Sequence, residues 1–467
     1  METLDKKLQQ ALQEIFPGDA CLLDPAECLA YAYDNSRRHA MPQAVVLPTT
    51  KDQVQKLVHL CREFKTPIVA RGRGTNTTGA SVPIEGGIVV SFERMNRIIE
   101  IRAGDRVAIV EPGVLNGDLQ KALKPLGLFW PPDPTSAAYS SIGGNLACNA
   151  GGPRAVKYGA TRDNVLAVTA ITGTGDRVQC GAAVTKSSSG YDLSRLLIGS
   201  EGTLGLIVEA SLKLSALPLQ RQILRALYRD VDSAAQAVAS IMSQPVIPSM
   251  LEFLDGECVR LVREQAGVDI TSCGAMLIIE ADGDAQTLHH ALSALEFVAR
   301  NEGCIEIRSA RHQDEIDELL AARKALSPLL RTIRSGKINE DVVVPVSQVP
   351  ALCRQIASIA GQQALKIVCF GHIGNGNVHV NILYDKQDES ETERANAAMS
   401  QVFTCTVELG GQLSGEHGIG IAKRDFMTQA IDAPTLHLMR NIKSCMDPLG
   451  ILNPGKVIPH EPSFIRT

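Results

Sequence analysis

Leu4, Leu8, Leu12 and Ile15 recur at helical spacing, which predicts an amphipathic helix over 3–16. A short apolar run at 44–48 reads as a strand. Thr50 followed by Gln53 makes a capping-box pattern. It opens a helix with Val54, Leu57, Val58 and Cys61 on one face. Another strand follows at 67–70, so the first part reads as strand, helix, strand. The period then shortens. Strand-like runs lie at 86–92, 97–102 and 106–111, a hairpin at 164–180 around Thr172–Asp176, and a strand at 204–214. Pro218 and the polar Gln220-Arg221-Gln222 mark a boundary near 218. Beyond it, helical stretches (232–243, 285–302, 312–334, 347–361, 388–409) alternate with strands (275–281, 304–309, 341–346, 365–371, 378–384). That is an α+β layer pattern: a sheet with covering helices. The expected domains are 1–218 and 219–460.

Composition narrows the class. The 467 residues are 45% apolar and 21% charged, as in folded soluble proteins, and carry a net charge of −5. Binders of duplex DNA or of membrane surfaces are more often basic, so neither is favoured. No apolar stretch approaches the ~20 residues that span a bilayer. The first residues mix charges with no apolar core to follow, so a secretory leader is not expected. The twelve cysteines are scattered with no C-x-x-C pair. This disfavours an iron–sulfur cluster, a Cys-rich zinc site or a disulfide framework, and favours a reducing cytoplasm.

Glycine clusters carry the first chemical signal. Arg71-Gly-Arg-Gly-Thr-Asn-Thr-Thr-Gly79 follows a strand, but its glycines are not spaced as G-x-G-x-x-G and no apolar helix follows. A nicotinamide-binding fold is therefore disfavoured. The loop still offers close backbone N–H groups and hydroxyls to a pyrophosphate. Taken alone it reads first as an ordinary connection. Further glycine-rich or turn segments stand at Pro131-Pro-Asp-Pro134, Ser141-Ile-Gly-Gly-Asn145, Asn149-Ala-Gly-Gly152, Gly199-Ser-Glu-Gly-Thr-Leu-Gly205 and 447–456. Together they point to one extended ligand wrapped by backbone.

A second signal is His372-Ile-Gly-Asn-Gly-Asn-Val-His379, flanked by apolar runs. Asn375-Gly376 is a preferred pair for a two-residue type I′ turn. That turn would set His372 opposite His379 on one face, Cβ atoms about 4.5–5.5 Å apart, close enough to share a metal. Asn381 lies on the same face. The alternative is a hydrogen-bonded histidine pair without a metal. Gly415-Glu-His-Gly418 adds a carboxylate and a third imidazole. Neighbours in an extended chain point opposite ways, so Glu416 and His417 have different tasks.

The motif set resembles the FAD-linked oxidases of the vanillyl-alcohol oxidase/p-cresol methylhydroxylase (PCMH) superfamily. The branch it is most similar to holds D-lactate dehydrogenase, the glycolate oxidase flavin subunit and D-2-hydroxyglutarate dehydrogenase. The resemblance covers about residues 40–458. It implies a two-domain PCMH-type fold, with an FAD-binding domain at 1–218 and a substrate and metal-binding cap at 219–460 whose end returns to the flavin. The FAD contacts it implies are Arg71, Gly72, Gly74, Thr75, Asn76, Gly79, Pro132, Asp133, Ser141, Gly143, Gly144, Asn145, Gly151, Glu201, Gly202, Thr203, Gly205, Ile207 and Asn453. Thr75 has no histidine nearby, so the FAD is expected to be non-covalent. His372, His379 and Glu416 are implied ligands of a divalent metal, zinc first, and His417 the implied base. Arg323, with Ser327 one turn on, is implied to bind the substrate carboxylate, and Asn381 its hydroxyl or carboxylate. Leu320 stands where the family's W-x-x-R has Trp, and Asn375 where many relatives have Asp. The lysine of the hydroxyglutarate-type enzymes aligns with Asn339, which weighs against a dicarboxylate.

The implied reaction is oxidation of a D-2-hydroxy acid, such as D-lactate or glycolate, to the 2-keto acid. The electron acceptor is left open between a quinone, an electron-transfer flavoprotein and an iron–sulfur partner. A homodimer, and a peripheral place at a membrane reached through the acceptor, stay open as well. Two rivals remain: a flavin subunit that only passes electrons within a larger complex, and a non-redox flavoenzyme of the alkyl-glycerone-phosphate synthase type.

Overall fold

The computed structural model describes residues 4–266, 270–310 and 313–460. Residues 3 and 312, where two of the expected helices begin, lie outside them. The chain divides into two compact units. One is Met1–Gly151, Gly159–Leu217 and Glu416–Thr467; the other is Gly152–Tyr158 and Pro218–Gly415.

The first unit opens with helix Lys6–Ile15, capped by Asp5 and buried along Leu8 and Leu12. Its four-stranded sheet contains β1 (Cys21–Leu22), β2 (Ala44–Val46), β3 (Ile68–Arg71) and β4 (Ile88–Ser91), in the order β1-β2-β4-β3. The expected strand–helix–strand unit is β2, helix Lys51–Phe64 and β3, with β4 inserted between the two strands and parallel to both. Thr50 caps this helix through the Gln53 N–H, but Gln53 Oε1 reaches back to Thr49 N rather than to Thr50, so the box closes one residue early. Val54, Leu57, Val58 and Cys61 bury into the core over this sheet. Full burial of each such aliphatic side chain contributes about 1.5–3 kcal/mol.

The second sheet of this unit holds β5 (Ile98–Arg102), β6 (Val107–Val110), β8 (Val165–Thr172), β9 (Arg177–Gly181) and β10 (Gly205–Lys213), in the order β5-β6-β10-β8-β9. A two-stranded ladder joins β7 (Leu128–Phe129) to β11 (Ser215–Ala216). The C-terminal segment returns to β3. Ile68 N–H donates to Ile451 O at 2.7 Å, and Asn453 N–H donates to Ile68 O at 2.8 Å.

The second unit is built on a seven-stranded antiparallel sheet. Its strands are β12 (Gln220–Tyr228), β13 (Met250–Asp255), β14 (Ala275–Gly283), β15 (Cys304–Ser309), β16 (Gly336–Val343), β17 (Lys366–Gly371) and β18 (Asn377–Tyr384). The order is β15-β12-β14-β13-β17-β18-β16. Helices Val231–Ser243, Ala285–Ala299, Val349–Gln363 and Glu389–Glu408 cover one face, and Gly256–Ala266 and Gln313–Leu330 the other. Beyond residue 218, β12, β13, helix Gly256–Ala266 and helix Ala433–Met446 were not expected. β12 begins on the polar residues read as a linker, because only its later residues reach the core. β16 begins five residues before the expected strand at 341.

Candidate active site

β17 and β18 pair with Phe370 opposite His379, and the recorded ladder ends there. This corrects the expected turn: the pairing is displaced by two residues from one that would set His372 against His379. His372 instead leaves the strand (φ −82°, ψ 67°), Ile373–Asn375 form a 3₁₀ turn, and Gly376 closes it at φ +74°. The turn is drawn onto the residue after β16, where Val344 N–H donates to Gly376 O at 3.1 Å. A two-residue displacement keeps side chains on the same face. The two imidazoles accordingly meet, ring centroids 5.2 Å apart in an edge-to-face arrangement.

His372 has a partner that the sequence did not disclose. Its Nδ1 lies 2.5 Å from Glu252 Oε1, and Glu252 Oε2 accepts from Arg323 Nε at 2.7 Å. All three side chains are buried, Glu252 at 1% exposure. The Arg323 guanidinium also stacks 4.4 Å over the Phe370 ring, which packs 5.4 Å from His379. Arg323 was expected to face a substrate carboxylate. Its Nε is instead spent on Glu252, which leaves only the Nη groups for a ligand. Ser327 Oγ accepts from Lys337 Nζ at 3.0 Å. Lys337 lies two residues from Asn339 and so shares its face of β16, so a cation is present where alignment to Asn339 suggested none. Asn381 is fully buried, and its Nδ2 donates to Val368 O and His379 O. Its Oδ1, like that of Asn339 opposite it, has no protein partner.

The strip leading to Glu416 runs beside β16. Gln412 bridges Val343, and Gly415 N–H donates to Asp341 O at 2.8 Å and to its carboxylate at 3.0 Å. Asp341 is the residue paired across from His379. Glu416 follows by one peptide bond, and its carboxylate and the imidazole nitrogens of His372 and His379 all lie within 4.8 Å of one another. Two imidazoles and a carboxylate fit a divalent ion such as zinc, with a coordination position to spare.

Within the first unit, His417 O accepts from Asn76 Nδ2 at 2.9 Å. Glu201 accepts from Ile419 N–H at 2.7 Å and Gly420 N–H at 2.8 Å. Two residues expected to touch a cofactor therefore hold the backbone around His417. Burial outweighs these donors and Lys423 and Lys456, and pushes the Glu201 carboxyl up to about 7. Lys456, buried in the same cluster, is drawn down to about 8. Asn453 Nδ2 bonds Ala80 O and Glu201 O. Arg71 turns onto the carbonyls of Tyr33 and Ala30 and lies beneath Gly74. Ile207 sits in the apolar core, and Thr203 Oγ1 is returned to Ser200 O.

The glycine loops keep other donors in reserve. Ser141 caps helix Ile142–Cys148, and a Cβ at Gly72 would strike its Oγ. Buried Ser140 Oγ, Thr77 Oγ1 and Asn145 Nδ2 have no protein partner. Polar atoms of this kind, on loops where glycine lets backbone come close, suit the phosphates and ring edges of a dinucleotide such as FAD.

The FAD binding domain family matches residues 42–181. The family described as FAD linked oxidases, C-terminal domain, matches residues 217–457. The chain belongs to the FAD-linked oxidases. It is 38% identical over 431 residues, 92% of each chain, to the glycolate oxidase subunit GlcD of Bacillus subtilis (strain 168). It is 33% identical to the D-lactate dehydrogenase of Anaerostipes hadrus, covering 98% of this chain and 97% of that one. It is 32% identical to the D-2-hydroxyglutarate dehydrogenase of Stutzerimonas stutzeri, covering 97% and 99%. Among solved structures, p-cresol methylhydroxylase superposes with a TM-score of 0.81 over 98% of both chains at 19% identity. An alkyldihydroxyacetonephosphate synthase does so at 0.75, 20% identical, over 97% of this chain and 87% of that one. At such identity these two show the fold alone: the expected two-domain PCMH-type α+β architecture.

In this FAD-linked oxidase the residue missed by sequence reasoning is Glu252. Its signal was present: a lone carboxylate within the apolar run of β13, 71 residues from Arg323 and 120 from His372. A charge on the buried face of a strand demands a partner. Nothing in the spacing says which. Among the described residues no helix is long and apolar enough to cross a membrane.

Proposed function

We propose that this oxidase converts a D-2-hydroxy acid, D-lactate or glycolate in the first place, to the 2-keto acid. The observation that carries it is the cluster of His372, His379 and Glu416 within 4.8 Å, in a chain one-third identical to a D-lactate dehydrogenase. FAD, when bound, supplies the hydride acceptor at N5. A divalent metal, zinc first, when bound by those three residues supplies a Lewis acid for the substrate hydroxyl. His417 takes the hydroxyl proton, with Asn76 on its carbonyl fixing the backbone there. Asn381 contacts the substrate hydroxyl or carboxylate, and the Nη groups of Arg323 with Ser327 and Lys337 face the carboxylate. The first unit holds the FAD non-covalently, because the sequence around Thr75 has no histidine for a covalent link.

The test is anaerobic addition of D-lactate, glycolate and other D-2-hydroxy acids to the full chain. Loss of the flavin band is expected with one of them. A flavin that stays oxidised with all of them overturns the reading. His417→Ala should keep FAD and metal and reduce the flavin about 10²–10⁴-fold more slowly.

A second reading is favoured by the names of relatives described as subunits. Here the chain passes its electrons to a partner chain bearing the physiological acceptor. Fast reduction by substrate with slow turnover on small dyes, cured by a partner fraction, would mark it.

A further inference from the structure

We infer that Glu252 is the positioning residue that commits His372 to one tautomer, so that Nε2 carries the lone pair facing the metal. The inference deepens the proposed function and rests on its metal reading.

The argument begins with strand register. β13 and β17 pair with Leu254 opposite Phe370 and Phe253 opposite Gly371. One step further sets Glu252 opposite His372 on the same face. The contact at 2.5 Å fits that register, with His372 just past the end of β17. A carboxylate only accepts, so the hydrogen between Glu252 and His372 belongs to Nδ1. A neutral imidazole then has its lone pair at Nε2. Ligand histidines commonly have their second nitrogen engaged by a carboxylate in this way, and its loss typically costs 10–100-fold in metal affinity.

Arg323 completes the device. Its Nε–H needs an acceptor, and Glu252 Oε2 is that acceptor. The ion pair balances a carboxylate that is almost wholly out of water. It also fixes which atom any replacement must present. In Glu252→Gln the amide oxygen is claimed by Arg323, so the NH₂ turns to His372. His372 Nδ1 must then accept, and its hydrogen moves to Nε2, where the metal would bind. An isosteric change should therefore invert the tautomer.

The test uses the full chain stripped of metal. Long-range ¹⁵N–¹H spectra of the imidazoles, with His372 assigned by its absence in His372→Ala, should show Nδ1–H in the parent and Nε2–H in Glu252→Gln. Zinc affinity, measured by competition with a chromogenic chelator, should fall about 10–100-fold in Glu252→Gln. A purely structural role for Glu252 would not invert a tautomer in a folded isosteric variant. Glu252→Gln with Nδ1–H retained and zinc affinity within twofold of the parent overturns the inference. If Glu252→Gln does not fold, Glu252→Gln/Arg323→Leu leaves no unpaired buried cation. It should populate both tautomers and bind zinc more weakly than the parent; parental spectra and affinity overturn the inference there too. A parent that shows Nδ1–H but binds no zinc overturns the metal reading instead, so the two failures are distinct.

Discussion

Gly376→Ala isolates the cost of the turn that joins the two histidines. Gly376 has φ +74°, and an added Cβ would stand 1.9 Å from the Val344 carbonyl oxygen. Gly410 has almost the same backbone, φ +75°, with nothing within 4 Å of its Cβ position. Both lie in the second unit, so Gly410→Ala is the internal control. The left-handed conformation alone costs a non-glycine residue about 1–2 kcal/mol, and that is the loss expected at Gly410. At Gly376 the carbonyl must also move by more than an ångström. That breaks the Val344 N–H to Gly376 O bond and leaves buried groups unpaired, a further ~1–3 kcal/mol. Gly376→Ala should therefore lose about 2–5 kcal/mol. Urea unfolding of the two variants beside the parent measures it, and the comparison within one unit cancels errors of a two-state treatment. Gly376→Ala should also bind zinc less tightly, because the loop carrying His372 moves. Equal losses in the two variants, or unchanged zinc affinity in a folded Gly376→Ala, would refute the reasoning.

The raised carboxyl of Glu201 binds its proton more tightly in the folded state, about 7 against 4.5. Its contribution is present below about 4.5 and lost as pH rises through 7, by roughly 3 kcal/mol, and the pH slope of stability over that window should shrink by that share in Glu201→Gln, with buried Asp255, raised to about 6, supplying part of what stays. His379→Ala should lose the metal seen by elemental analysis of the parent while keeping its flavin; equal metal in both removes His379 from the ligand set. Cys445 is the exposed cysteine among the twelve, and burial raises most of the others. A thiol reagent should label about one site rapidly in the native protein, and Cys445→Ser should abolish that fast phase.

What could be read from the chain and what could not follow from the range of each signal. Local signals were sound except at the Asn375-Gly376 turn. Helical spacing in the first residues, the cap at Thr50 and the strand around His379 all concern neighbours within a few residues. The facing of His372 and His379 survived a wrong register, because a displacement of two residues leaves the face unchanged. Interactions between distant segments were invisible. β4 enters between β2 and β3 although it follows both. Lys337 reaches Ser327 from a strand that starts earlier than its apolar run. Asn76 and Glu201 look like phosphate-loop residues by position, yet they bond the backbone at 417–420, over 200 residues away.

Arg323 shows why such distant contacts alter the reading of a mutation. Removing an arginine that binds a substrate carboxylate weakens substrate binding. Removing this one also strips Glu252 of its counter-charge, and a buried carboxylate left alone either takes up a proton or swings away. Either change releases His372 from its tautomer. A slow Arg323→Ala enzyme would thus say nothing by itself about carboxylate recognition. The two roles separate in the measurements: lost recognition raises KM with zinc affinity intact, whereas a lost hold on Glu252 lowers zinc affinity in the absence of substrate. Arg323→Lys sharpens the distinction. It retains a cation for a carboxylate but has no Nε–H fixed by a planar fork to meet Glu252. Zinc affinity that falls further than substrate affinity in that variant would place the main work of Arg323 on Glu252.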